Sequence, residues 1–238
     1  DIMLAIDVST SMLAEDLKPN RLEAAKDVAA EFINGRPNDN IGITLFAGET
    51  FTQCPLTVDH AVLLDMIHNI KCGLITDGTA VGMGIANAVT RLKDSKAKSK
   101  VIILLTDGTN NKGDISPMTA AEIAKSFGIR VYTIGVGTNG MAPYPYPVGN
   151  TVQYVSMPVE IDEKTLTEIA GTTDGNYFRA TSNSKLKEVY EEIDKLEKTK
   201  LNVKEYSKRD EEYHWFALAA FLCVLLEVLL RNSVLKKI

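Results

Sequence analysis

The chain has 238 residues, 45% hydrophobic and 24% charged, a balance that excludes disorder and low complexity and suits one sizeable globular domain with further sequence beyond it. Its net charge is -5, from 26 Lys and Arg against 31 Asp and Glu, so the basic excess of a nucleic-acid surface is missing. The first residue stands just before a strand core, with neither initiator Met nor signal peptide, which reads as a chain that continues upstream.

The first element is the apolar strand "IMLAID" (2–7), which runs out into Asp7, Ser9 and Ser11. Side chains two residues apart in an extended chain project to one side, so this spacing predicts three oxygens on one face. Such clusters hold a hard cation or touch a phosphate. A helix follows over 20–35, opened by a Pro19-Asn20 cap signal and carrying apolar residues at 22, 25, 28, 29 and 32. The runs "IGITLFAG" (41–48) and "ETFTQCPL" (49–56) predict a hairpin with an antiparallel edge.

A helix over 59–70 leads into the loop "KCGLITDGT", a further helix spans Ala80 to Leu92, and "VIILLTD" (101–107) is an apolar strand closing on Asp107. Then come the helical "AAEIAKSFG", the strand "IRVYTIGVG", the helical "DEKTLTEIAG", the strand "NYFRAT" and the amphipathic helix "NSKLKEVYEEIDKLEKT". Apolar strands alternating with helices predict an α/β fold: a doubly wound, mostly parallel six-stranded sheet covered by helices on both faces. Between them, the Gly-, Pro- and Tyr-rich insertion at 138–158 reads as a long exposed functional loop.

Beyond a domain over 1–197, residues 198–212 read as a charged stalk, 213–231 as a transmembrane helix and 232–238 as a basic cytoplasmic tail. "WFALAAFLCVLLEVLL" (215–230) is apolar around its circumference except at Glu227. It covers roughly 24 Å of a ~30 Å hydrocarbon core, and Tyr213, Trp215 and Arg231 supply interfacial anchors. Acidic residues 210–212 precede it and Arg231, Lys236 and Lys237 follow it, so the C-terminus is predicted to be cytoplasmic and the domain to face outward. Glu227 stands four residues before Arg231, a spacing expected to neutralise it near the interface.

In a doubly wound sheet, ligands bind beyond the carboxyl ends of the strands where strand order reverses. Asp7 and Asp107 close two such strands, and Thr79 lies in the loop before the third helix. Asp7, Ser9, Ser11, Thr79 and Asp107 together make a modest Mg2+ site, with Mn2+ or Ca2+ as alternatives. Its shell is incomplete and leaves room for an outside carboxylate.

These residues carry a resemblance. "DVSTS", with the downstream "DGT" and "TDG", resembles the metal-ion-dependent adhesion site (MIDAS) of von Willebrand factor A (VWA) domains, and the match runs through residues 1 to about 197. The resemblance implies Ser9 and Ser11 as direct ligands, Thr79 as the second-loop ligand, and Asp7 and Asp107 completing the site. "DVSTSMLAEDLKPNRLEAAK", "FTQCPLT", "DGTAVGMGIANAV" and "LLTDGTNNKGDISPMTAAEIA" further resemble the Bat-type aerotolerance proteins of bacteria. That likeness implies a periplasmic domain on the bacterial inner (cytoplasmic) membrane, missing N-terminal membrane segments and association with MoxR-type AAA+ ATPases. It also implies a hetero-oligomer with other membrane subunits, related VWA proteins among them.

Competing motifs fare worse. An EF-hand counted from Asp7 would place Met12 and Lys18 where Gly and Glu belong. A phosphatase with an aspartyl nucleophile would need an acid where Ser9 stands. "GVGTNG" (135–140) follows a strand, but "MAPYPYP" rather than a helix comes next, so it is not a dinucleotide site. His60 and His68 lie eight apart with no third zinc ligand, and no His falls beside Ser9 or Ser11 for a triad. Cys54 and Cys72 are expected at opposite ends of the sheet, separated by about 18 Å of helix, beyond disulfide reach. Cys223 is expected to face lipid or another helix. A membrane-anchored binding module, not an enzyme, is the leading reading; a scaffold with a structural metal and a metal-dependent hydrolase are the alternatives.

Overall fold

In a computed structural model, the described residues are 1–138, 140–148 and 151–206. The predicted membrane helix, basic tail, Cys223 and the 207–212 part of the stalk lie outside them. Among the described residues no helix is long and apolar enough to cross a membrane.

Residues Asp1–Glu197 form one compact unit. Its sheet has the order β3 (Thr50–Thr57), β2 (Ile41–Phe46), β1 (Ile2–Asp7), β4 (Val101–Thr106), β5 (Arg130–Val136) and β8 (Tyr177–Ala180). All neighbours are parallel except the edge pair β2 and β3, as the hairpin reading predicts. The helices are α1 (Arg21–Asn34), α2 (His60–His68), α3 (Val81–Leu92), α4 (Pro117–Ser126), α5 (Glu163–Thr172) and α6 (Asn183–Tyr206).

Strand alternation sorts the core into two layers. Ile2, Leu4 and Ile6 of β1 pack with Leu22 of α1, Leu63 of α2 and Leu186 of α6. Met3 and Ala5 pack on the other face with Ile85 of α3, Ala121 of α4 and Leu166 of α5. Both faces of β1 and β4 are therefore buried, which is why these strands are apolar throughout.

Helix starts follow local chemistry. The Asn20 side chain caps α1 by accepting from the Glu23 N–H at 2.8 Å, and Asp59, Ser116 and Asp162 cap α2, α4 and α5 in the same way. Chain order runs from β1 outward to β2 and β3, then crosses to β4 on the other side of β1. The reversal thus falls between β1 and β4, whose register sets Ile6 beside Leu105, so the ends carrying Asp7 and Asp107 are neighbours.

Two expectations are corrected. The 138–158 segment, expected as an exposed loop, is exposed along β7 but is regular: β6 (Gly140–Val148) and β7 (Thr151–Val159) form a separate two-stranded antiparallel ribbon. Its alternating Tyr, Val and Pro residues mask strand propensity behind turn-like composition. Nor does the chain stay extended from Asp7 to Ser11. It curls into a short 3-10 turn over Thr10–Leu13, because the Ser9 N–H donates to Asp7 Oδ1 at 2.9 Å and bends the backbone locally.

Candidate functional site

Asp7 and Asp107 sit at the switch point, 0% and 2% exposed, so both carboxylates are removed from bulk water. Asp7 is held by neutral donors, the Ser9 N–H at Oδ1 and the Thr106 hydroxyl at Oδ2, the latter at 2.6 Å. Burial, and then the negative charge of Asp107, pushes the Asp7 carboxyl up to about 7. Asp107 Oδ1 accepts from the Ser11 hydroxyl at 2.7 Å, and Ser9 Oγ lies 2.9 Å from Ser11 Oγ. Four of the five predicted residues are therefore joined in one hydrogen-bonded set.

Thr79 reaches the same place from another loop. A Cβ built on Gly108, the residue after Asp107, would lie 3.4 Å from Thr79 Oγ1. Thr79 is buried, its N–H donates to Asn111 Oδ1 at 2.9 Å, and its carbonyl accepts from the Asn111 and Lys112 N–H groups. This clasp fixes the Thr79 loop against the loop after β4. Asp77 ties the first loop in as well, accepting from the Thr10 N–H and hydroxyl at 3.0 and 2.8 Å.

The largest omission of the sequence reading is Arg21. Its Nη1 donates to Asp107 Oδ2 at 2.7 Å, while Nε and Nη2 make a bidentate pair with Asp16, both at 2.7 Å. The guanidinium packs over Gly137, whose φ is +132 and where a Cβ would come within 2.6 Å of Nη2. That close approach explains one glycine of the apparent dinucleotide motif. A signal for Arg21 does exist: a cation in the first turn of a helix opposes the helix dipole and needs an acidic partner nearby.

Charge remains unbalanced. Arg21 serves both Asp16 and Asp107, so one guanidinium stands against three carboxylates once Asp7 is counted. Burial raises Asp107 despite the pull of Arg21, whereas Asp16, also pushed up by burial, is held below the usual range by Arg21 and Thr138. A buried net negative charge ringed by hydroxyl oxygens is chemistry that suits a hard divalent cation. Among the described residues no three His, Cys, Asp or Glu side chains gather as metal ligands, so such a site depends on hydroxyls.

The other sequence candidates are structural. His60 Nε2 lies 2.9 Å from the Asp39 carbonyl, and His68 Nδ1 lies 2.7 Å from that of Leu64. Cys54 and Cys72 are free; Cys72 Sγ donates to the Ser9 carbonyl at 3.4 Å, at the site end of the sheet.

Fold and site together define a doubly wound α/β domain whose strand-end loops gather two carboxylates and three hydroxyls. The chain belongs to the von Willebrand factor type A domain family, whose model matches residues 1–192. It is similar to the crystal structure of conserved hypothetical protein BatB from Bacteroides thetaiotaomicron, with 34% identity, TM-score 0.72, and coverage of 83% of this chain and 98% of that one. An aerotolerance-related membrane protein from Bacteroides fragilis also matches at 34% identity and TM-score 0.70, over 82% and 98% of the two chains. The protein is thus a VWA-domain protein related to Bat aerotolerance membrane proteins. Proximal thread matrix protein 1 from mussel byssus, in a structure with a zinc-occupied MIDAS motif, matches at 25% identity and TM-score 0.64, over 82% of this chain and 45% of that one. A curated UPF0353 protein of Mycolicibacterium paratuberculosis is 32% identical over 203 residues, 79% of this chain but 58% of the relative's length.

Proposed function

We propose that this chain is a membrane-anchored VWA binding module that captures an acidic residue of a partner protein through a divalent cation. Asp7, Ser9, Ser11, Thr79 and Asp107 would hold Mg2+, with Mn2+ or Ca2+ as alternatives. The bound cation would supply a positive charge and an open coordination position for the partner's carboxylate. The observation that carries the reading is the buried negative charge at the switch point, where Asp7 has only neutral donors.

The chain's own residues have separable roles in this reading. Thr106 and the Ser9 N–H aim Asp7, Arg21 anchors Asp107, and the Ser11 hydroxyl links Ser9 to Asp107. No histidine belongs to this hydrogen-bonded set, and the carboxylate that accepts from Ser11 is already paired with Arg21, which supports binding rather than hydrolysis. The likeness to Bat proteins supports membership of a hetero-oligomeric bacterial membrane complex linked to a MoxR-type AAA+ ATPase and to aerotolerance. In that arrangement residues 1–197 lie in the periplasm, 198–212 form a stalk, 213–231 cross the inner membrane and 232–238 are cytoplasmic.

The Arg21 bridge favours a second reading, a scaffold whose cation is structural, because it already ties α1 to the end of β4. A pull-down from membranes, with and without chelator and with Asp7→Ala beside the wild type, separates the two. Partners lost equally to chelator and substitution support capture through the cation. Partners retained under both conditions overturn it.

A further inference from the structure

The β6 and β7 ribbon stands outside the main sheet, and its two edges differ chemically. The register pairs Ala142 with Met157, Pro143 with Ser156, Tyr144 with Val155 and Pro145 with Tyr154. Antiparallel pairs alternate between those that exchange hydrogen bonds and those whose N–H and C=O point away from the partner strand. Pro143, Pro145 and Pro147 lack an N–H, so the ladder runs through the intervening residues and the prolines face outward. The Pro143 carbonyl does so, accepting from the Glu15 N–H at 2.8 Å.

The same alternation turns Val152, Tyr154 and Ser156 outward along the free edge of β7. Each offers an N–H and a C=O, and no described strand pairs with them. Residues 151–158 are exposed along the whole strand, with Tyr154 61% exposed. No charged residue occurs between 140 and 159, so the strand carries no charged gatekeeper of its own, although Glu15 accepts a hydrogen bond from the Tyr154 hydroxyl. An isolated two-stranded ribbon with apolar residues on both faces is also marginal in water and is stabilised by further strands.

We propose that β7 pairs antiparallel with β7 of a second copy of this chain, joining the two ribbons into a four-stranded sheet. A two-fold axis at Tyr154 sets Val152 opposite Ser156 and Tyr154 opposite its own counterpart. In that register every outward N–H finds a carbonyl, whereas a shift that sets Val152 opposite Pro158 leaves a position without a donor. The chain carries a net charge of -5, and a strand without charged residues, whose neighbouring Glu15 is paired with Lys18, is a face on which two copies meet at low like-charge cost. The contact uses no cation ligand and stands independently of the proposed function.

Site-directed cross-linking of the full chain in mild detergent tests the pairing. In hydrogen-bonded antiparallel pairs Cα atoms lie about 5.5 Å apart, within disulfide reach. Tyr154→Cys is therefore expected to form a disulfide-linked dimer under mild oxidation, well above the background from the native cysteines. Ser156→Cys, whose two copies would lie about 13 Å apart along the strands, is expected to stay at that background. Tyr154→Pro blocks the outward donor while sparing the β6 ladder and should yield a folded monomer by light scattering and circular dichroism. Chelator should leave the wild-type dimer intact, which separates this contact from capture through the cation. A monomeric wild type at tens of micromolar, or equal cross-linking of the 154 and 156 variants, overturns the proposal, including where β7 instead receives a strand from another protein.

Discussion

Arg21 Nη1 lies 2.7 Å from Asp107 Oδ2, although 86 residues separate them in sequence. The pair locks the start of α1 to the loop after β4, and the bidentate contact with Asp16 holds the intervening segment to the same guanidinium. Both partners of Arg21 are almost fully buried. The weight of the bridge is therefore felt when one member is removed, since the others remain charged and out of water.

Arg21→Ala is expected to destabilise the domain by about 3–5 kcal/mol, the range for breaking a buried pair. Urea unfolding with and without Mg2+ measures it, and the loss should shrink when cation is present to offset the two carboxylates. Arg21→Lys should recover little, because an ammonium cannot span Asp16 and Asp107 with a planar fork. A loss below about 1 kcal/mol, the range of exposed pairs, would place the bridge in solvent.

Thr106→Val removes the donor to Asp7 Oδ2 while keeping the shape of the side chain. Loss of a partner that orients a ligand costs 10- to 100-fold in metal affinity. Calorimetric titration with Mg2+ or Mn2+ should show that reduction, against abolished binding for Asp7→Ala. Unchanged affinity would mean that Asp7 is aimed by Ser9 alone.

Stability should depend on pH in a defined direction. Burial first, and the charge of Asp107 second, lift Asp7 to about 7, against about 3.9 for an unfolded aspartate. Between those values the native state binds the extra proton, so stability of the metal-free protein falls as pH rises from about 4 to 7. A cation competes for the same oxygens, so stabilisation by Mg2+ should be larger at about pH 8 than at about pH 5.5. Thermal melts in EDTA and in Mg2+ across this range check both signs; a metal-free Tm that climbs with pH through the window contradicts the assignment.

Far from the switch point, Tyr132 donates to Glu197 Oε1 at 2.6 Å, and Glu197 Oε2 accepts from Ser99 and Arg130. Hydrogen bonds to a buried charge contribute about 1.5–3 kcal/mol, so Tyr132→Phe should lose that much in urea unfolding. Cation binding should be unaffected, which distinguishes this variant from those at the site.

Much of this architecture was legible from residue order. Strands 1 and 4 are apolar throughout because both faces are covered, and each ends on a carboxylate, a pattern that local composition displays directly. The cap at Asn20 was legible for the same reason, being a contact across three residues. The ribbon was not, because three prolines in nine residues of β6 resemble loop composition until β7 supplies the pairing. Arg21 and Thr106 were missed because each looks ordinary beside its sequence neighbours; only the partner across the switch point gives it a role.

Sequence by itself therefore determined the alternation of strands and helices and the residues whose oxygens could gather at the strand ends. Tertiary structure alone decided how those oxygens are held: by a 3-10 turn rather than an extended strand, and by a guanidinium shared between Asp16 and Asp107. The physical reason is range. Apolar periodicity and caps act over a few residues and are written locally, whereas charge compensation in a buried site depends on which distant segments the sheet order makes neighbours.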